Sequence, residues 1–229
     1  MISNIWNKDN SRLDWTIPVK EVAGIKFKFD KDNRLIQKRM NTYFTKEPKT
    51  LEWIDSFDND EILVDVGANI GVYALYAGKK GHTVHAFEPH AQNFAELVTN
   101  IYLNDFKKVK AYPFALMDKM SVDELAMLSI VPGQSHNDFG MNDDRVKHFV
   151  AAFTLDFTKI KPTHIKIDVD GLEEKVLLGM MNSLDNVKSI LIEVTTTDTL
   201  KPLLNKGFKI DESMTYKLSD TETNYVLRR

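Results

Sequence analysis

Short apolar runs recur along the chain from Ile62 onward, and several of them are apolar at consecutive rather than alternate positions. They read ILVDV, TVHAF, VKAYPFAL, HIKIDV and SILIEV. Runs of this length are typical of strands buried on both faces of a parallel sheet. The clearest helix between them is 91–103, whose apolar positions repeat at a spacing near 3.6 and are Phe94, Leu97, Val98 and Ile101. This alternation predicts a parallel sheet with helices on both sides.

Residues 1–50 follow a different pattern. Ile25, Phe27 and Phe29 alternate with lysines, which predicts a half-buried strand or hairpin. A short helix is expected over 34–44. We therefore interpret this segment as an N-terminal extension, with a lid or substrate wall as its candidate role.

The domain that follows is expected to span 51–229. A helix after Pro48 begins it, and the segments GFKI and NYVLRR near its end predict a closing antiparallel pair of strands. Because crossovers between parallel strands are right-handed, the carboxyl ends of the strands should share one edge of the sheet.

Composition narrows the functional classes. The 229 residues carry a net charge of −3 and include no cysteine. The absence of cysteine excludes disulfides and thiolate metal sites. The small negative net charge argues against broad, sequence-independent binding of nucleic acid. No apolar run reaches the length of a membrane span, and the N-terminus lacks a signal-peptide pattern. We expect a soluble cytoplasmic enzyme with neither a nucleic acid nor a membrane as its partner.

A glycine turn follows the first buried strand, in the segment EILVDVGANIG. Gly67 and Gly71 bracket three residues, and the helix that follows is expected to offer unpaired N–H groups to an anion. A dinucleotide fingerprint would need a glycine where Asn69 stands, and a P-loop would need a glycine-lysine ending. The anion is therefore either a phosphate or an amino-acid carboxylate, and the pattern favours the second.

Two acids flank this turn. Asp65 lies two residues before Gly67, and Glu88 ends the next strand in HAFEP, about twenty residues on. An acid in the second position is suited to ribose hydroxyls, while an acid in the first would repel a pyrophosphate and attract an ammonium group. A cofactor with a carboxylate, an ammonium and a ribose is S-adenosylmethionine.

Together VDVGANIG, FEP and IKIDVDGLEEKVLLG, the last within 165–179, resemble the FkbM-type family of class I S-adenosylmethionine-dependent methyltransferases. The resemblance covers about 51–229. It implies a three-layer α/β/α Rossmann-like sandwich with a mostly parallel seven-stranded sheet and an antiparallel C-terminal strand. It also implies methylation of a hydroxyl oxygen, because most members of the family act on hydroxyls.

The resemblance further implies which residues hold the cofactor. The glycine turn would bind its methionine end, Glu88 its ribose, and the end of the third strand its adenine. The complete implied set is Asp65, Gly67, Ala68, Asn69, Gly71, Glu88, Pro89, Ala115, Leu116 and Asp168.

Candidate catalytic residues lie in the block after strand HIKIDV. Asp168 is the first candidate to face the acceptor, as a general base or as an orienting group. Asp170 and Glu173 are further catalytic candidates, with capping of the next helix as the alternative role. The family more often has glutamate where Asp170 stands. No second set of ligands accompanies these acids, so no metal is predicted.

Weaker candidates surround this block. Glu193 ends strand SILIEV at the same edge and is a candidate for the acceptor pocket. The polar segment 132–144 is expected to be a loop that closes over the site and presents Ser135, His136 or Asn137.

The leading hypothesis is an O-methyltransferase that acts on a hydroxyl of a sugar, a glycan or a secondary metabolite, so its partner is a small-molecule or carbohydrate acceptor. One alternative is a nicotinamide-dependent oxidoreductase, which the missing middle glycine disfavours. Another is a non-catalytic cofactor-binding protein, against which the presence of Asp65, Glu88 and Asp168 argues.

Overall fold

The computed structural model describes residues 17–135, 138–140 and 144–229. In chain order the strands are β1 Val19–Val22, β2 Ile25–Lys28, β3 Ile62–Val66, β4 Thr83–Phe87, β5 Val109–Tyr112, β6 Ala115–Leu116, β7 Ser121–Ala126, β8 Asp138–Phe139, β9 Lys147–Phe153, β10 His164–Ile167, β11 Ser189–Val194, β12 Lys209–Ile210, β13 Tyr216–Lys217 and β14 Thr223–Arg228. The α-helices are α1 Arg34–Asn41, α2 Pro48–Asp55, α3 Val72–Lys79, α4 Ala91–Asn104, α5 Leu155–Thr158, α6 Glu173–Leu178 and α7 Lys201–Asn205.

The central sheet has the strand order β12-β14-β11-β10-β3-β4-β5, and the short strand β13 pairs with β14 as an eighth member. Strands β5, β4, β3, β10 and β11 run parallel, whereas β14 is antiparallel to β11 and to β12. The predicted Rossmann-like α/β class and the closing antiparallel pair are confirmed. Strand order reverses at β3, and in open α/β sheets such a reversal opens a crevice at the carboxyl ends of the strands.

Apolar side chains alternate between the two faces of the central strands. Val64 and Val66 of β3 pack on one face with Ile165 and Ile167 of β10, whereas Leu63 packs on the other face. Between these apolar positions each strand carries one charged residue, Asp65 in β3 and Lys166 in β10, and the two pair in register. Two charged residues therefore lie next to each other inside the sheet.

A second, four-stranded sheet with the order β6-β9-β7-β8 was not expected from the sequence. The segment VKAYPFAL was predicted as one strand, but β5 ends at Tyr112, and Ala115–Leu116 pairs with β9 in the second sheet. Pro113 lies at the break and has no N–H to continue the ladder. Ala115 and Leu116 therefore do not end the third strand of the central sheet, which corrects that expectation.

The predicted loop 132–144 is partly a strand. Asp138–Phe139 pairs with β7, while Pro132, Gly133, Gln134 and Ser135 have no regular structure. The candidates His136 and Asn137 lie outside the described residues.

In the described part of the N-terminal extension, β1 and β2 form the predicted hairpin, and α1 follows within the predicted range. Ile25 and Phe27 are fully buried beside Leu75 of α3. Helix α4 covers the edge of β2: the Asn100 side chain accepts from Lys28 N at 2.7 Å and donates to Ile70 O at 2.9 Å. Within the described ranges, none of the helices is long and apolar enough to cross a membrane.

Candidate active site

A cavity of about 370 Å³ opens at the carboxyl ends of β3, β4, β10 and β11. Its volume lies in the range usual for small-molecule sites. Eight of the predicted site residues line it: Gly67, Asn69, Glu88, Pro89, Ala115, Leu116, Asp168 and Asp170. Four predicted site residues do not line it, namely Asp65, Ala68, Gly71 and Glu173.

Gly67 has no space for a side chain. Its φ is +79°, and a Cβ at this position would lie 1.9 Å from the carbonyl oxygen of Asp168. The N–H groups of Gly67 and Ala68 both donate to Phe87 O at 3.0 Å. The glycine turn is therefore fixed between β4 and β10, and its backbone forms the floor of the cavity.

Glu88 lines the cavity with its carboxylate held in place by backbone groups. One oxygen accepts from Asn69 N at 2.7 Å and the other from His90 N at 2.9 Å. Burial raises the pKa of Glu88 to about 7, although these two bonds oppose the shift. Because a carboxylate oxygen can accept more than one hydrogen bond, both oxygens remain able to accept from hydroxyl groups of a ligand.

Asp65 lies beneath the turn rather than in the cavity. The residue is fully buried, and neither carboxylate oxygen has a hydrogen-bond partner among the described residues. Burial raises the pKa of Asp65 to about 6, against the opposing effect of the Lys166 ammonium. The contact predicted between Asp65 and an ammonium group stays a prediction, since Asp65 does not reach the cavity surface in this conformation.

Lys166 is the counter-ion of Asp168. Its Nζ lies 2.8 Å from Asp168 Oδ2 and 5.1 Å from the centre of the Tyr73 ring, and only 2% of the lysine side chain is exposed. Burial opposes the ionisation of Asp168, but the Lys166 ammonium outweighs it and holds the pKa of this carboxyl below its usual range. The sequence analysis missed Lys166, although a lysine inside the apolar strand HIKIDV was a visible signal.

Glu193 lies beside Asp168 and lines the same cavity. Strands β10 and β11 are in register up to Ile167 and Ile192, so the next residue of each strand is an acid at the same edge. Burial raises the pKa of Glu193 to about 8, and the negative charge of Asp168 adds to the shift. Two adjacent carboxyl groups thus differ in charge at neutral pH, an arrangement that separates acid from base roles.

Asp170 and Glu173 have different surroundings. Asp170 lines the cavity and adopts a φ of +52°. Glu173 is buried away from the cavity, and its carboxylate accepts from Gly171 N at 3.0 Å. This bond satisfies a backbone N–H ahead of α6, whose N-cap residue Leu172 makes no side-chain capping bond, so the roles left open for Glu173 stay predictions. Among the described residues, no cluster of three or more His, Asp or Glu side chains is arranged to hold a metal ion.

The N-terminal extension supplies one wall of the cavity through Lys38, Arg39 and Lys46. Arg39 donates from Nε and Nη2 to Gly133 O at 3.0 and 2.7 Å. Gln134 and Ser135 line the cavity next to this contact. The extension and the segment before β8 therefore both border the site, while the role of the extension as a lid or substrate wall stays a prediction.

Residues 65–217 match the family described as the Methyltransferase FkbM domain. The chain belongs to the FkbM methyltransferase family. Hexuronic acid methyltransferase AglP of Haloferax volcanii is 27% identical over 62% of this chain, and the match spans 59% of the length of AglP. Methyltransferase 1 of Beauveria bassiana is 23% identical over 74% of this chain and 69% of its own length.

Solved structures share the fold. Magnesium protoporphyrin IX methyltransferase from Synechocystis PCC 6803, with bound S-adenosylmethionine, has a TM-score of 0.55 at 10% identity and covers 88% of this chain and 86% of its own. Precorrin-6y C5,15-methyltransferase from Geobacter metallireducens has a TM-score of 0.51 at 13% identity, with coverage of 89% and 93%. The predicted family and S-adenosylmethionine as methyl donor are confirmed.

The described residues fit this cofactor. Gly67 and Asn69 place the backbone of the turn at the cavity surface, and Glu88 presents acceptors to the cavity. The Asp65 oxygens without partners add negative charge beneath the turn, which suits a sulfonium and an ammonium. Which atom of the cofactor each residue contacts stays a prediction.

Proposed function

We propose that this chain transfers a methyl group from S-adenosylmethionine to a hydroxyl oxygen of a carbohydrate. The relative AglP, whose name describes a hexuronic acid methyltransferase, supports a sugar as acceptor. The family match favours a methyltransferase over a nicotinamide-dependent oxidoreductase.

The acid pair of Asp168 and Glu193 is the observation that supports a hydroxyl group as the acceptor. An alcohol must lose its proton during or after its attack on the methyl carbon, so the site needs a base. Asp168 is a poor base, because Lys166 holds its Oδ2 at 2.8 Å and keeps its pKa low. Glu193 has no hydrogen bond or ion pair to the rest of the described chain, and its pKa of about 8 is close to the pH of the cell.

The donor supplies a methyl group already activated by its sulfonium. The protein therefore contributes position, charge and removal of a proton. Ionised Glu193 would take the proton of the acceptor hydroxyl on a carboxylate oxygen as the bond from the acceptor oxygen to the methyl carbon forms and the carbon–sulfur bond breaks, with S-adenosylhomocysteine as the leaving group. Asp168, fixed by Lys166, keeps a negative charge next to the reacting centre and orients the acceptor by accepting a hydrogen bond from it.

Replacement of Glu193 tests this role. We expect Glu193→Gln to lower kcat at least a hundredfold while leaving the affinity for S-adenosylhomocysteine within about twofold, because general-base catalysis contributes roughly 10²- to 10⁴-fold. Glu174→Gln is the matched control, since Glu174 is exposed and does not line the cavity. Activity would be followed as release of S-adenosylhomocysteine with a panel of neutral and acidic glycosides.

The pH profile provides a second readout. The wild-type kcat should rise through an apparent pKa near 8, as Glu193 becomes ionised. In Asp168→Asn the midpoint should move to lower pH, because the neighbouring negative charge that raises the pKa of Glu193 is gone. Full activity of Glu193→Gln with an unchanged profile would exclude Glu193 as the base.

A further inference from the structure

Charged side chains around the cavity come from different parts of the chain according to their sign. The basic wall consists of Lys38, Arg39 and Lys46 from α1 and the segment that follows it. The acidic side chains come from the strands of the central sheet and the segments next to them, and they are Glu88, Asp168, Asp170, Glu193 and Glu222. The acidic side chains suit the cationic and hydroxyl groups of the donor, which leaves the basic wall for an anionic group.

The glycine turn cannot bind that anion through its backbone. Every N–H group from residue 67 to 71 already donates to a partner within the protein. Asn69 N donates to Glu88 at 2.7 Å, Ile70 N to the Asn69 side chain at 2.9 Å, and Gly71 N to Ala68 O at 2.9 Å. The unpaired N–H groups expected of the helix that follows the turn belong to α3, and that expectation stays a prediction.

The basic wall keeps donors for a ligand. Lys38 lines the cavity and is exposed, and no acid forms an ion pair with it among the described residues. Lys46 Nζ lies 2.7 Å from the buried Glu47, which fixes the ammonium at the edge of the cavity while two of its three protons stay available. Arg39 already donates to Gly133 O from Nε and Nη2, so Lys38 and Lys46 are the candidate donors to a ligand.

We propose that Lys38 and Lys46 form a carboxylate-binding site at the mouth of the cavity. This inference rests on the proposed function, which brings two sources of a carboxylate to the cavity: the amino-acid end of the donor and an acidic sugar as acceptor. In either case the N-terminal extension, rather than the glycine turn, binds the anion. The extension would therefore complete the active site.

The test uses the full chain in three forms: wild type, Lys38→Gln/Lys46→Gln, and Lys31→Gln/Lys161→Gln. The last variant removes the same two charges at exposed lysines that do not line the cavity. Calorimetry would measure the binding of S-adenosylhomocysteine and of 5′-methylthioadenosine, which retains the adenosine and the sulfur but lacks the amino-acid carboxylate. Glucuronate and glucose would then be titrated into protein saturated with S-adenosylhomocysteine.

If the donor supplies the carboxylate, the cavity variant should bind S-adenosylhomocysteine about tenfold or more weakly, with unchanged affinity for 5′-methylthioadenosine. If the acceptor supplies it, binding of S-adenosylhomocysteine should be unchanged, and the wild type should prefer glucuronate over glucose while the cavity variant loses this preference. The control variant should match the wild type throughout.

The proposal is overturned if the cavity variant equals the wild type for both adenosine ligands and shows the same response to glucuronate. Equal losses in the cavity and control variants would also overturn it, because they would reflect net charge alone. A failure of the proposed function is a different result: the wild type would then bind neither S-adenosylhomocysteine nor 5′-methylthioadenosine.

Discussion

A single methyl group at Gly67 would collide with the backbone of the neighbouring strand. The nearest atom to its ideal Cβ is Asp168 O at 1.9 Å, and that backbone atom cannot rotate away as a side chain can. We expect Gly67→Ala to lower the free energy of unfolding by more than about 2 kcal/mol, because left-handed strain alone costs about 1–2 kcal/mol and the collision adds to it. Urea denaturation measures the change.

Gly81→Ala separates strain from collision. Gly81 has a φ of +95°, and nothing lies within 4 Å of its ideal Cβ. We expect Gly81→Ala to lower the free energy of unfolding by only about 1 kcal/mol. Equal losses in the free energy of unfolding for Gly67→Ala and Gly81→Ala would show that the collision with Asp168 O at Gly67 does not affect stability.

At the same scale, the sequence predicted residues whose chemistry depends on the local motif. Gly67, Asn69 and Glu88 line the cavity because β3 and β4 are parallel neighbours joined by α3, so the residues that follow them lie at the same edge of the sheet. Lys166 lies two residues before Asp168 in the same segment, so its relation to Asp168 could be read from the sequence. Glu193 instead needed the register of β10 and β11 before its relation to Asp168 became visible. Such pairing is a property of the sheet and not of any one segment.

Helix α4 illustrates what determines an element in this protein. The expected apolar face included Val98, but that side chain is 44% exposed, so this assignment was wrong. Leu97 is fully buried as predicted, with Phe94 and Ile101 packed against the same core cluster. The other buried residues of the helix are polar: Asn93, Glu96 and Asn100. They face the edge of β2, the glycine turn and the segment before β8, whose backbone groups need hydrogen-bond partners.

Asn100→Ala tests the contribution of this polar face. The substitution leaves Lys28 N and Ile70 O without their partners, and each unpaired buried group costs about 1–3 kcal/mol. We expect a loss of about 2 kcal/mol or more in the free energy of unfolding, measured by urea denaturation. Thr99→Ala should change it by less than about 0.5 kcal/mol, because the Thr99 hydroxyl bonds only to Ala95 O within its own helix.

If Asn100→Ala were no more harmful than Thr99→Ala, α4 would not anchor β2.

The parallel strands, in contrast, were predictable from their sequences, since burial on both faces leaves a continuous apolar run. The second sheet was not, because β7 is partly exposed and contains polar residues, and β6 and β8 have two residues each.

Across the whole molecule, buried acids make stability depend on pH in an uncommon direction. The pKa of Glu88 is raised to about 7 and that of Glu193 to about 8. Between the unfolded value of about 4.3 and these values, the folded state holds protons that the unfolded state has already released. The free energy of unfolding therefore falls as pH rises through this window.

The effect should be visible between pH 7 and 9. Burial lowers the pKa values of His85 and His164 to about 4. Their contribution to the free energy of unfolding therefore increases as pH rises from about 4 to about 6.5, and it stays constant above pH 6.5. We expect the urea midpoint of the ligand-free protein to decrease from pH 7 to pH 9. The decrease should be smaller in Glu193→Gln. A midpoint that rises over this range would contradict the assigned protonation states.

Both the N-terminal extension and the domain that follows it contribute residues to the lining of the cavity. The sheet edge supplies the acids and the glycine turn, while α1 and the segment after it supply the basic wall. Periodicity predicted the hairpin and α1, but nothing in the sequence placed Lys38 and Lys46 at the same cavity as the acids. That placement is a property of the tertiary fold, in which Arg39 of α1 donates to Gly133 O in the segment before β8.

The most direct test of the central claim is a crystal structure of the protein with S-adenosylhomocysteine. The ligand should lie in the cavity at the carboxyl ends of β3, β4 and β10, with the ribose hydroxyls on Glu88 and the sulfur directed toward Asp168 and Glu193. Ligand density elsewhere, or a ribose that makes no contact with Glu88, would contradict the account.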